Sequence, residues 1–151
     1  MRQSLVRSFQ VACLSLMLAC SSQHLLSSDI SLEPMYGNKP KTTTQLHADQ
    51  QLVEKARESF GGDMRAAAKD AIRHGTNAMH AGDYDKAIRR FNQAWLFDPS
   101  IPQVYEGFAA YLVAKGRVTE ASEYIERAHQ LDPNDPRIKA NLTRMRQVVG
   151  R

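Results

Sequence analysis

The sequence predicts an all-α fold, a short solenoid of helical hairpins with a leading helix in front and a capping helix behind, and three observations carry that prediction. First, residues 82–99 recur as residues 116–133 at a constant offset of 34. Gly82 matches Gly116, Ala87 and Ala94 match Ala121 and Ala128, Phe91 matches Ile125, Phe97 matches Leu131, and Asp98-Pro99 matches Asp132-Pro133 without insertion. A strict period of this length marks stacked two-helix units, each too small to bury its own apolar face. Second, small and apolar residues step by three and four through these units, the spacing of one helix face. Third, aromatic residues make up only 7% of the chain while alanine is frequent, which suits close-packed helices better than strands.

With 151 residues there is room for one modest domain and a tail. Residues 1–19 carry Arg2 and Arg7 and then an apolar run from Phe9 to Ala19. About a dozen residues are too few to cross a ~30 Å hydrocarbon core as a helix, and match the core of a signal peptide. Met17-Leu18-Ala19-Cys20 resembles the bacterial lipoprotein box, in which the leader is cut before a cysteine that becomes acylated. Ala19 is the small residue the cut requires, and Met17 departs from the usual choice at the front. The resemblance implies lipidation at Cys20, which would bury dozens of methylenes at ~0.8 kcal/mol each and tether the protein to a membrane without spanning it. By resemblance to Gram-negative lipoproteins, Ser21 in place of an aspartate implies transport to the outer membrane, with the protein on its periplasmic face.

Lys and Arg number 20 against 16 Asp and Glu, and without residues 1–19 the balance is 18 against 16. An excess this small makes no case for nucleic-acid binding. Both cysteines, Cys13 and Cys20, precede the repeats, so the folded part has neither a disulfide framework nor a cysteine-ligated metal.

After Cys20, residues 20–44 show no sustained period and recur in Ser, Thr, Gly and Pro; they are expected to form a flexible tether, with Leu25-Leu26 and Met35-Tyr36 as isolated apolar pairs. Residues 45–62 predict a leading helix with Leu52, Val53, Ala56 and Phe60 on one face, stopped by Gly61-Gly62. Residues 63–101 form the first repeat. Asp63 caps its first helix, in which Ala67, Ala68, Ala71, Ile72, Gly75, Ala78 and Met79 share one side, and Asp83 caps its second, with Tyr84, Ala87, Ile88, Phe91, Ala94 and Trp95 buried. In the second repeat, residues 102–135, Arg117 replaces the Asp83 cap, so the helix after it should start more loosely. Asp98 and Asp132 each precede proline, which drives them out of the α region and ends both helices; Pro102 and Pro136 open the next ones. Residues 136–151 cap the stack through Ile138, Leu142, Met145 and Val149.

Spacing and residue types together resemble the tetratricopeptide repeat. That resemblance implies a groove, formed mostly by the first helices of the hairpins, that holds a peptide or a partner domain. Carried over by position, the groove residues are Lys69, Ile72, Thr76 and Met79, then Glu106, Ala110 and Val113, then Arg144. The branch of the family that clamps chaperone C-termini has Lys, Asn and Arg at positions occupied here by Ile72, Thr76, Glu106, Ala110, Ala140 and Arg144, so carboxylate clamping is not expected. An amphipathic segment of a cell-envelope protein is the partner expected; self-association into a homo-oligomer is the alternative.

No catalytic constellation is expected, and no cofactor or metal. Asp70 and His74, four apart on one helix, read as a surface ion pair; no serine has a Gly-x-Ser-x-Gly setting, and no glycine loop cradles phosphate. Trp95 reads as core, packing near Tyr105 and Phe108.

Overall fold

The computed structural model describes residues 29–150, within which the chain from Ser31 onward forms one unit. The expected leader and Cys20 lie outside the described residues. Six helices follow in order: α1 (Thr43–Ser59), α2 (Met64–His80), α3 (Tyr84–Phe97), α4 (Pro102–Ala114), α5 (Val118–Leu131) and α6 (Pro136–Val149). Two 3-10 turns, Ile30–Leu32 and Pro34–Asn38, precede them, and no strand occurs among the described residues. α2 pairs with α3 and α4 with α5 as hairpins, α4 also lies against α2 and α3, and α6 packs on α5.

The local signals act as their chemistry dictates. Asp63 and Asp83 accept the amides of Ala66 (2.9 Å) and Lys86 (3.1 Å), satisfying N–H groups that a helix start leaves without partners. Asp98 and Asp132 both leave the α region (φ −152° and −139°), and Asp135 caps α6. Both hairpins turn through a left-handed glycine, Gly82 (φ 75°) and Gly116 (φ 76°), a conformation that a Cβ would strain. α1 starts at Thr43 rather than 45 because Thr42 and Gln45 close a capping box, the Gln45 side chain taking the Thr42 amide at 2.8 Å.

The core centres on α4, buried along most of its length because it packs against the α2–α3 hairpin as well as its own partner α5: Val104, Phe108 and Leu112 are fully buried. Phe91 of α3 is held between two glycines. A Cβ on Gly75 or on Gly107 would come within 2.6 Å of its ring, so the helices approach at a distance that only glycine permits. Ile138 and Leu142 of α6 close the far end. α1 is attached more lightly, with Ala56 its one buried residue, Leu52 and Val53 half-buried, and Leu46 and Phe60 exposed.

The expected tether is corrected over its second half. From Ser31 to Lys41 the chain is a strap bound to the repeats: Pro34 is buried, and Leu32 and Met35 pack against the core. The polar backbone of this stretch has found partners in side chains of α3 and α4, which composition and periodicity cannot show. Trp95 packs against the core that holds Tyr105 and Phe108, as expected, but it is only half-buried and its ring also lies edge-on to Tyr36 of the strap at 6.4 Å.

Candidate protein-interaction surfaces

Two faces of the stack carry interaction chemistry. The first is shared by α2, α4 and α6. Lys69, Ile72, Thr76 and Met79 step by three, four and three along α2, and Glu106, Ala110 and Val113 continue the stripe on α4. On α2 the adjacent stripe, Ala67, Ala71, Gly75 and Ala78, is buried, which leaves the first one open. Lys69, Thr76, Ala110 and Arg144 are exposed, Ile72 and Met79 half-buried, and Val113 is 44% exposed. Glu106 is not a free anion. It accepts from Asn141 Nδ2 at 3.1 Å and pairs with Arg137 at 3.4 Å, joining α4 to α6. Burial pushes its carboxyl above the usual range against the opposing pull of Arg137. The face is thus an apolar strip of Ile72, Met79 and Val113 with the cations Lys69 and Arg144 at its margins. Asp70 is paired with Arg73 at 2.6 Å and with His74 at 3.4 Å, the surface ion pair that the spacing predicts.

The second face lies on the α3–α5 side and is occupied by the strap. Asn92, 1% exposed, uses its whole carboxamide there: Oδ1 accepts the Met35 amide at 2.8 Å, while Nδ2 donates to the carbonyls of Ser31 (3.0 Å) and Glu33 (2.9 Å). Tyr111 Oη donates to the Leu32 carbonyl at 2.8 Å, and Arg117 holds the Glu33 carboxylate at 2.8 Å. Burial first, then Glu33 and Asp85, raise the Tyr111 phenol, which keeps it a donor. Arg117 also grips Glu120 through two bonds of 2.7 and 2.6 Å, and these, with Glu33, raise the guanidinium above its ordinary value despite partial burial. Helix α5 starts without a side-chain cap, as expected, because the guanidinium of Arg117 has no acceptor to offer the first amides; it binds the strap instead. Beyond it, Lys41 pairs with Asp49 of α1 and lies 3.3 Å over the Tyr36 ring. Burial, with Asp49 second, pushes the Tyr36 phenol up to about 12. Each hydrogen bond contributes a net ~0.5–1.5 kcal/mol, and leaving the buried Asn92 unpartnered costs about 1–3 kcal/mol. Beside the strap opens a cleft of about 530 Å³ lined by Met35, Trp95, Tyr105, Tyr124 and Arg127 among others.

The strap was missed in the sequence, yet one signal for it was there. Ile88, Phe91, Asn92 and Trp95 share a helix face, and an asparagine in a stripe that must be buried needs a partner. Among the described residues no group of three or more His, Cys, Asp or Glu could hold a metal ion, and no helix is long and apolar enough to cross a membrane.

These two stacked hairpins, alike in caps, turns and helix ends, define a class of protein built from helical repeats. Residues 78–145 match the family model described as tetratricopeptide repeat, and the match supports a protein of that family. The family is generally a noncatalytic module that binds other proteins, and protein binding is the role the repeats indicate here. No curated protein matches the chain.

Proposed function

We propose that the protein is a noncatalytic adaptor of a bacterial cell envelope, anchored through acylated Cys20 on the periplasmic face of the outer membrane. There it would hold a partner during assembly of an envelope machine such as a pilus or a secretion system. The face shared by α2, α4 and α6 is the docking surface, and the observation that carries this reading is its exposed apolar strip between cationic margins. Glu106 is engaged by Arg137 and Asn141, and Lys69 and Arg144 are exposed on the same face. Such a surface suits an amphipathic segment that carries carboxylates beside its apolar anchors.

The test is a pull-down from detergent-solubilised envelope with the intact lipoprotein as bait, beside an Ile72→Glu, Val113→Glu variant. A partner held by the wild type and lost by the folded variant supports the adaptor. Recovery of the protein alone, equally by both, favours the second reading, self-assembly through exposed Leu46 (50%) and Val148 (66%). The half-burial of Leu52 and Val53 reduces the apolar area that α1 could offer to another copy. Anchoring has its own test: fatty-acid labelling that is abolished by Cys20→Ala.

A further inference from the structure

Three of the residues that bind the strap, Asn92, Tyr111 and Arg117, are departures from the repeat; Arg89 adds a bond of 3.1 Å to the Ser31 hydroxyl. At the offset of 34, Asn92 corresponds to Glu126, Tyr111 to Asn77 and Arg117 to Asp83. Glu126 lies 4.0 Å from Arg146 on α6, Asn77 is exposed, and Asp83 caps its helix. None of these counterparts does what Asn92, Tyr111 and Arg117 do, which is to read three consecutive backbone carbonyls, one amide and one carboxylate of a peptide. Two carbonyls and an amide on a single carboxamide is recognition of a backbone held in one shape, and a guanidinium on Glu33 adds a side-chain requirement. The bound segment also holds Met35 (φ 52°), Tyr36 (φ 57°) and Asn38 (φ 53°) in the left-handed region. Side chains avoid this conformation when nothing imposes it, so the segment is shaped by the site and does not hold this form by itself.

We propose that the α3–α5 side carries a second peptide site, separate from the α2–α4–α6 face, and that its ligand is supplied in cis by residues Ser31–Lys41 as a releasable clasp. The ligand class is an acidic, proline-containing segment with an aromatic residue three positions after its glutamate, here Glu33-Pro34-Met35-Tyr36. The site fastens the N-terminal connection to the repeats. On the reading that Cys20 is the anchor, the connection with the clasp closed is Ser21–Ile30, ten residues that span at most about 35 Å. With the clasp open it runs to Lys41, twenty-one residues and at most about 75 Å, so release roughly doubles the upper limit on the distance at which the groove can work.

The test uses the full chain in detergent micelles, with amide hydrogen exchange at residues 31–41 and the emission of Trp95, the single tryptophan, which touches Tyr36 of the clasp. Wild type is expected to protect the Met35 amide, and Glu33→Arg to lower that protection roughly tenfold while α2–α5 keep theirs. A synthetic peptide of residues 31–41 added to Glu33→Arg then shifts the Trp95 emission saturably. The same peptide leaves wild type unchanged, because its site is filled, and also leaves the double variant Glu33→Arg, Asn92→Leu unchanged. An unprotected Met35 amide in wild type would overturn the proposal. So would loss of protection throughout α2–α5 in Glu33→Arg, or a peptide without effect on that variant. Neither readout depends on acylation, so an unlabelled Cys20 would remove the anchor and the change of reach while leaving the peptide site intact.

Discussion

The two repeats share a backbone and differ in what they hold. The first has Asp83 at its inner cap, Phe91 at its centre and Asn92 turned to the strap; the second has Arg117, Ile125 and Glu126. Phe91 reaches both Gly75 within its own hairpin and Gly107 in the next, so the first repeat locks the stack. Ile125 is buried as deeply but is a smaller side chain. The difference teaches that a period preserves the surfaces on which units pack, while positions free of that duty diverge to bind something.

Breaking the lock should have the largest effect. Phe91→Ala is expected to lose about 3–5 kcal/mol in chemical denaturation, whereas Ile125→Val loses about 0.5–1.5 kcal/mol. A loss at position 91 no larger than that at 125 would remove the asymmetry. Gly107→Ala should cost about 1–3 kcal/mol through the clash with the same ring, and a thermal melt equal to wild type would show that the approach is looser than described.

A smaller pair of changes sharpens the contrast in capping. Asp83→Ala should lose about 0.5–2 kcal/mol. Its mirror, Arg117→Asp, installs the missing cap but removes the bonds to Glu33 and Glu120; it should leave the stability of α5 intact while Met35 loses exchange protection. Retained protection in Arg117→Asp would mean that the carboxylate contact is dispensable.

The smallest effects concern pH, and their signs are opposite. Partial burial raises Asp98, but hydrogen bonds from the Ser100 hydroxyl and amide, with Arg65, outweigh it and hold the carboxyl below the usual range. Its stabilisation is present above the usual carboxylate range and fades as pH falls through the depressed value. Glu106 is raised by burial, so its contribution favours the fold in acid and fades as pH rises through the usual range towards the raised value. Asp98→Asn should therefore lessen the loss of stability on acidification, and Glu106→Gln should lessen the decline above the usual carboxylate range. Denaturation midpoints measured from pH 3 to pH 7 would check both signs; a slope unchanged in either variant would rule that carboxyl out.

Much of the fold was legible because it is written in short-range chemistry. Asp63, Asp83, Gly82, Gly116, Asp98 and Pro136 act within a few residues of themselves, and each made the cap, turn or stop that its type implies. The stripe on α2 and α4 was legible for the same reason, since helical spacing places residues on a face without knowledge of the partner. Gly107 was not, because its neighbour Phe91 is sixteen residues away on another helix and nothing local marks the approach. Glu106 could be placed on the face, but its neutralisation by Arg137 and Asn141 required α6 to be in position.

By itself the sequence determined the repeating hairpins, their register and the stops and starts at Asp98-Pro99, Pro102, Asp132-Pro133 and Pro136, because these depend on local steric and hydrogen-bonding preferences repeated at a constant period. Only the tertiary structure decided that residues 31–41 are a bound strap. Their own composition favours an unfolded chain, and the groups that order them, Asn92, Tyr111 and Arg117, lie 57 to 84 residues from their partners along the chain and meet them only once the helices have stacked.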